Sequence, residues 1–170
     1  PNLFDPAAGR ALTPLEQQHV NTYTSQITGW LQQVGSNALS NRSPGNQITW
    51  GTGSAPFGQN RRGFPIAPND HDLPVMRIVD SQGATRAVIA SYATHGTTLN
   101  PNDNLVSGDW PGYARESIQS MYPGAVGMIM LGAAGDSNPT PSGTVAAAQA
   151  HGVEVANEVS RLITTNQMKP

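Results

Sequence analysis

The stretch Val88-Ile89-Ala90-Ser91-Tyr92-Ala93-Thr94-His95-Gly96-Thr97-Thr98 decides the fold. It is an apolar run that delivers one histidine into a loop rich in Gly, Thr and Asn. Past Val88 it loses the alternation of a half-solvated strand, which predicts burial on both faces in the middle of a sheet. A second run, Val126-Gly127-Met128-Ile129-Met130-Leu131-Gly132-Ala133-Ala134-Gly135, reads the same way and opens into Asp136-Ser137-Asn138-Pro139. Between the two runs lie a loop, Gly96 to Asp109, and a helix. Asp109 can cap that helix, Pro111 suits its first turn, and Tyr122-Pro123-Gly124 stops it after about Met121. Strand, helix and strand over roughly 30 or more residues make a βαβ unit. Its strands are parallel and its crossover is right-handed. Both strand ends then open at one sheet edge, where open α/β sheets hold their ligands. His95 and the Asp136-Ser137-Asn138 turn are therefore expected on one face. The expected fold is α/β: a mixed, largely parallel sheet with this βαβ unit and flanking helices.

Upstream, Pro74 to Asp80 reads as a strand, Ser81-Gln82-Gly83-Ala84 as a turn, and Thr85 to Thr94 as the return strand. Hairpin and βαβ unit together fill 74–134. A long helix is expected over 142–165, with Val145, Ala148, Gly152, Val155, Ala156, Val159, Leu162 and Ile163 on its apolar face. His151 lies one step off that stripe and reads as a structural or solvated histidine. Residues 36–73 are loop-rich, with Ile48-Thr49-Trp50 as a short strand. In Gly58-Gln59-Asn60-Arg61-Arg62-Gly63 two arginines sit between glycines. They make either a solvated turn or a guanidinium aimed at a ligand oxygen. Asn69-Asp70-His71-Asp72 places a histidine between carboxylates, a pattern that more often makes local turn hydrogen bonds than a metal site. Residues 13–35 read as a helix: Thr13-Pro14-Leu15-Glu16 is a capping box, Val20, Tyr23, Ile27, Leu31 and Val34 form a stripe, and Gly35 ends it. Residues 1–12 are an irregular lead-in.

The 170 residues suit one domain with a sizeable core. Charged residues are 12%, half the usual share, so Asn, Gln, Ser and Thr must supply the polar surface. A net charge of -2 offers no basic field for nucleic acid. No apolar run approaches the length of a membrane helix, so the chain is not expected to be transmembrane. Cysteine is absent, which excludes disulfides and thiolate chemistry. Low charge with abundant Asn, Ser, Thr and Gly points to a secreted or periplasmic protein. Asn41-Arg42-Ser43 fits a weak glycosylation acceptor. The chain opens on Pro1 and reads as a processed or truncated product.

A histidine at a strand's carboxyl end can ligate zinc, act as a base or hydrogen-bond the next loop. Zinc needs three or four protein ligands, and no local pair such as His-x-His occurs. Gly135-Asp136-Ser137-Asn138-Pro139 is not the Gly-x-Ser-x-Gly elbow of a serine hydrolase.

Several segments, in order, resemble the amino-terminal catalytic domain of neutral/alkaline (non-lysosomal) ceramidases. Asn60-Arg61 resembles the family's Asn-Arg pair, and Asp72 through Asp80 with Gly83 its strand and turn. Tyr92-Ala93-Thr94-His95-Gly96-Thr97 resembles its His-Pro/Gly-Thr/Ser segment. Leu105-Val106-Ser107-Gly108-Asp109 with Gly112-Tyr113-Ala114 resembles its Leu-Ile-Ser-Gly-Asp-Asn-Lys-Gly-Tyr-Ala. Ala134-Gly135-Asp136-Ser137-Asn138-Pro139 resembles its Ala-Gly-Asn-Leu-Ser-Pro turn. The matches span residues 50–165, and the run from His95 to Ala114 is the specific part.

The resemblance implies a zinc-dependent hydrolase that cleaves the amide of an N-acyl lipid with a zinc-activated water. It implies His95 as a zinc ligand, with Asp109 or Asn104 to orient its ring, and Arg61 with Asn60 against the substrate. It places Asp136, Ser137 and Asn138 beside the reacting bond. Three departures stand out. The family's upstream His-x-His, its downstream Glu and Tyr ligands and its carboxy-terminal β domain have no counterpart, and the family serine aligns with Asn138. The chain thus reads as an inner portion of a longer enzyme, with the rest of that polypeptide as its partner. A second expectation is a binding or self-assembly module that packs against other copies.

Overall fold

The computed structural model describes residues 4–5, 9–42, 47–63 and 67–170. It divides into two compact units, Pro1–Pro44 and Gly45–Pro170. The Ser43 of the expected glycosylation acceptor lies outside the described residues.

In the first unit, β1 (Phe4–Asp5) pairs antiparallel with β2 (Arg10–Ala11). The expected lead-in thus contains a short ladder. Helix α1 (Pro14–Ser40) starts at the capping box read from the sequence: Glu16 N–H donates to Thr13 Oγ1 at 3.3 Å, and Thr13 N–H to Glu16 Oε2 at 2.7 Å. The Arg10 guanidinium closes on the same carboxylate at 2.8 and 2.7 Å. Arg10's hydrogen bonds, then those of Thr13, hold Glu16 well below the usual carboxylate range. The helix runs through Gly35 to Ser40, five residues beyond the expected end, with Asn41 as its cap. The helix carries two interior glycines, Gly29 and Gly35, each costing about 1 kcal/mol relative to alanine. No residue of α1 is buried, and Tyr23, Leu31 and Val34 of its apolar stripe are more than half exposed.

The second unit is built on a four-stranded sheet in the order β3-β5-β6-β7. Strand β3 (Gln47–Ser54) is longer than the Ile48-Thr49-Trp50 strand expected. It is followed by the short β4 (Gly58–Asn60), then β5 (Asp72–Val79) and β6 (Thr85–Tyr92). Helix α2 (Asp109–Met121) leads to β7 (Val126–Leu131), and β8 (Ser137–Pro139) precedes α3 (Val145–Thr164). The βαβ unit β6-α2-β7 is present and its strands are parallel, Val88 against Gly127. The sheet as a whole is mostly antiparallel rather than largely parallel, because β3-β5 and β5-β6 are antiparallel pairs. Only the link from β6 to β7 contains a crossover helix, which a parallel pair requires. The β5-β6 turn places Gly83 at φ 82°, where Asp80 Oδ1 accepts from Gln82 and Ala84 N–H.

Period-2 alternation then assigns the two faces. Val75, Val88, Ala90 and Tyr92 point under α2 and α3 and are buried with Trp110, Ala114, Ile118, Val155, Val159 and Leu162. The two helices cross closely at Gly152, where a Cβ would lie 2.6 Å from Ala114 N. The opposite face carries Ile48, Trp50, Met76, Val126, Met128 and Met130, each 40–65% exposed. Strand β6 is interior to the sheet, as expected, but it is not buried on both faces: Val88, Ala90 and Tyr92 are buried, while Ile89 and Ser91 on the other face are only half-buried. Strand β7 is not the doubly buried strand its composition predicts: it sits at the sheet end with one face open.

Candidate functional site

The site forms where β6 and β7 end. Tyr92 is the last residue of β6, and the chain turns at Ala93-Thr94 to present His95. The β7 exit turns back through Gly132–Asp136 into β8, which pairs antiparallel with β4. These three-residue strands carry no readable periodicity, yet their pairing brings residues 58–61 against 136–139.

His95 is held by three hydrogen bonds to two residues, Ser137 and Trp110. Its N–H donates to the Ser137 carbonyl at 3.0 Å, and its ring Nδ1 lies 2.8 Å from the same oxygen. A carbonyl only accepts, so Nδ1 carries the ring proton. Nε2 is then the lone-pair nitrogen, and among the described residues it has no hydrogen-bond partner. The His95 carbonyl accepts from Trp110 Nε1 at 2.8 Å. His95 lines an open cleft of about 810 Å³, whose wall also includes Arg61, Asn104, Asp109 and Asn138.

The remaining expected residues separate into two groups. Arg61 and Asn138 share the cleft with His95. Arg61 is anchored by its N–H on the Asp136 carbonyl, 2.7 Å, and by Nη2 on the Gly135 carbonyl, 3.1 Å. Asp136, Ser137 and Asn60 lie behind it. Ser137 is 3% exposed, with Oγ paired to Thr94 Oγ1 at 2.8 Å. The Asp136 carboxylate accepts from Asn60 Nδ2 at 2.7 Å, and Asn60 also donates to the Pro68 carbonyl. Asn60 therefore holds the turn instead of facing the cleft.

Neither Asp109 nor Asn104 hydrogen-bonds the imidazole; its Nδ1 lies on the Ser137 carbonyl. Asp109 is buried and accepts from Leu99 N–H, 2.9 Å, and Trp110 N–H, 2.6 Å, so it ties the ends of the 96–109 loop together. The helix cap is Gly108, and Asp109 is the first helical residue, at φ 50°. Asn104 ends a single 3-10 turn, Pro101–Asp103, at φ 47°.

Two structural histidines behave as the sequence suggests. His151 is buried, stacks on Phe57 at 4.2 Å between ring centres, and bonds the Pro141 carbonyl. His71 Nδ1 lies on the Ala55 carbonyl, and Asp70 accepts from Asp72 N–H in a local turn. Sequence reasoning missed Trp110, Thr94 and Tyr92 as supports. Tyr92 OH donates to the Ala55 carbonyl and accepts from Gly58 N–H at 2.9 Å. Its burial holds the phenol above its ordinary pKa.

A zinc ion takes three or four protein ligands. Among the described residues no three His, Cys, Asp or Glu side chains gather closely enough to hold a metal. The donor set here is one imidazole, oriented as a zinc ligand is oriented, by a carbonyl on its other nitrogen. This chain's described residues therefore fit one coordination position and not a whole site.

No family model matches the chain, and no curated protein matches it by sequence. Solved structures do. A ceramidase complexed with C2 is similar with a TM-score of 0.63 at 20% identity, over 72% of this chain and 23% of that one. A neutral ceramidase from Pseudomonas aeruginosa is similar with a TM-score of 0.61 at 20% identity, over the same 72% and 23%. The chain thus has the fold of part of a neutral ceramidase and spans about a quarter of those structures' length.

Proposed function

We propose that this chain forms the inner part of the catalytic domain of a zinc-dependent hydrolase that cleaves the amide of an N-acyl lipid. The observation that carries the reading is His95: a strand-end imidazole with Nδ1 committed to Ser137 and Nε2 left as a donor atom on a cleft-lining residue. The fold likeness to structures named ceramidases supports it. His95 supplies one zinc ligand, and the others come from the remainder of the polypeptide or from other copies. A bound zinc polarises a carbonyl and lowers the pKa of its water to about 7.

The chain's own residues give the rest. The Ser137 carbonyl holds the imidazole in one tautomer. Arg61, in the same cleft, offers a guanidinium to an oxygen of the substrate. Asn138 offers a carboxamide to the acyl-amide group. Asp136 and Ser137, expected beside the reacting bond, instead hold Arg61 and His95 through their carbonyls. Composition supports a secreted or periplasmic location; among the described residues no helix is long and apolar enough to cross a membrane. Zinc titration of the full chain tests the reading: His95 Nε2 is expected to bind zinc and His95→Ala to lose that response. Equal zinc response in wild type and variant would overturn it.

A second reading is favoured by the open sheet face. Ile48, Trp50, Met76, Val126, Met128 and Met130 make an apolar surface that suits packing against another copy of the chain. A catalytically silent chain that forms defined oligomers supports this reading.

A further inference from the structure

We propose that Asp109 and Trp110, the first two residues of α2, form a positioning device for His95, with the Trp110 indole N–H as its acting group. This rests on the reading of His95 as the working side chain of the site.

The His95 main chain is fixed at both ends. Its N–H is bound to β8 through Ser137, and its carbonyl is bound to α2 through Trp110 Nε1. The Cα–Cβ bond is set by those two neighbours, so the direction in which the imidazole leaves the chain depends on both. The indole cannot drift. Trp110 is fully buried, edge-on to Phe57 at 5.4 Å and to Tyr92 at 5.8 Å. The Trp110 main-chain N–H is taken by Asp109 Oδ1.

A second observation points the same way. Asp109 is a non-glycine residue at φ 50° and is 6% exposed. Side chains at such a φ are strained and persist only where the surroundings over-determine them. Here the over-determination is visible: the carboxylate takes the Leu99 and Trp110 N–H groups, and the Asp109 N–H is bound to Ser107 Oγ at 3.0 Å. The strained start places Trp110 one residue into the helix, with its indole turned back to the histidine 15 residues earlier. A buried tryptophan needs some acceptor for its N–H; here that acceptor is the main-chain carbonyl of the site histidine, reached from a strained helix start.

The test is imidazole NMR on the 15N-labelled full chain at about pH 8.5, above the usual histidine range. His95→Gln assigns the signal. Wild type is expected to show a single His95 tautomer, protonated at Nδ1, with a slowly exchanging N–H. Trp110→Phe keeps an aromatic ring and removes the donor. It is expected to mix the tautomers and speed Nδ1–H exchange at least about tenfold. Phe57→Leu loosens the same aromatic cluster and keeps the donor; it is expected to retain the wild-type pattern. Trp110→Phe with a wild-type His95 signal would overturn the proposal, and so would Phe57→Leu with the same change. If Trp110→Phe does not fold, benzothienylalanine at position 110, isosteric and without the N–H, reads the same two outcomes. No metal or substrate enters this experiment, so its failure leaves the hydrolase reading standing, and failure of zinc binding leaves the positioning result standing.

Discussion

Ser137 offers the sharpest separation of roles at the residue scale. Its hydroxyl is buried against Thr94, and its carbonyl receives both His95 protons. Ser137→Ala removes the first and keeps the second. It is expected to cost about 1–3 kcal/mol in denaturant unfolding, because Thr94 loses a buried partner. In the longest natural form it is expected to leave N-acyl amide hydrolysis within a few-fold of wild type. Loss of activity as large as that in His95→Ala would make the hydroxyl catalytic. Glu16 gives a second residue-scale prediction. Arg10 and Thr13 depress its pKa in the folded state, so the stabilisation is present above the ordinary value of 4.5 and is lost as pH falls below it. The amide protection of the first turn of α1 is expected to fall with acid below about pH 4.5, and Glu16→Gln to remove that dependence. His95 was legible because a lone histidine ending an apolar run stands out by position. The contacts that Asp136 and Ser137 make to Arg61 and His95 were not, because they run through main-chain carbonyls, which side-chain identity does not encode.

Local chemistry decides the elements. The α1 capping box, the β5-β6 turn and the βαβ unit were all legible, since each depends on neighbours within a few residues or on hydrophobic period. The β4-β8 pair was invisible: three residues per strand carry no period, and the partners lie 77 to 81 residues apart. The parallel character of the sheet was over-read, because two apolar strands flanking a helix say nothing about the strands on their other side. Gly152 supplies the test at this scale. A methyl there would sit 2.5 Å from Tyr113 Cβ and 2.6 Å from Ala114 N, against backbone that cannot yield cheaply. Gly152→Ala is expected to destabilise the second unit by about 1–3 kcal/mol despite alanine's better helix propensity. Unchanged thermal unfolding would show that α2 and α3 do not meet this closely.

At the scale of the whole molecule, the sheet leaves one apolar face open. On the proposed reading His95 supplies one zinc ligand, and among the described residues no three His, Cys, Asp or Glu side chains gather to hold a metal. The open face carries six large apolar side chains, and a surface of that kind is rarely left to water. The chain alone is therefore expected to self-associate in sedimentation, and the double substitution Trp50→Ser with Met128→Ser to shift it towards monomer. The sequence could not reveal the open face, because a strand buried on both sides and a strand awaiting a covering layer have the same apolar composition.

The most direct measurement is made on the longest natural form: its zinc content, together with its rate of N-acyl amide hydrolysis in wild type and His95→Ala. Stoichiometric zinc in wild type, with the variant losing metal and on the order of 100-fold or more in rate, is the expected result. A metal-free wild type, with a hydrolysis rate that His95→Ala leaves unchanged, would contradict the assignment of His95 as a zinc ligand.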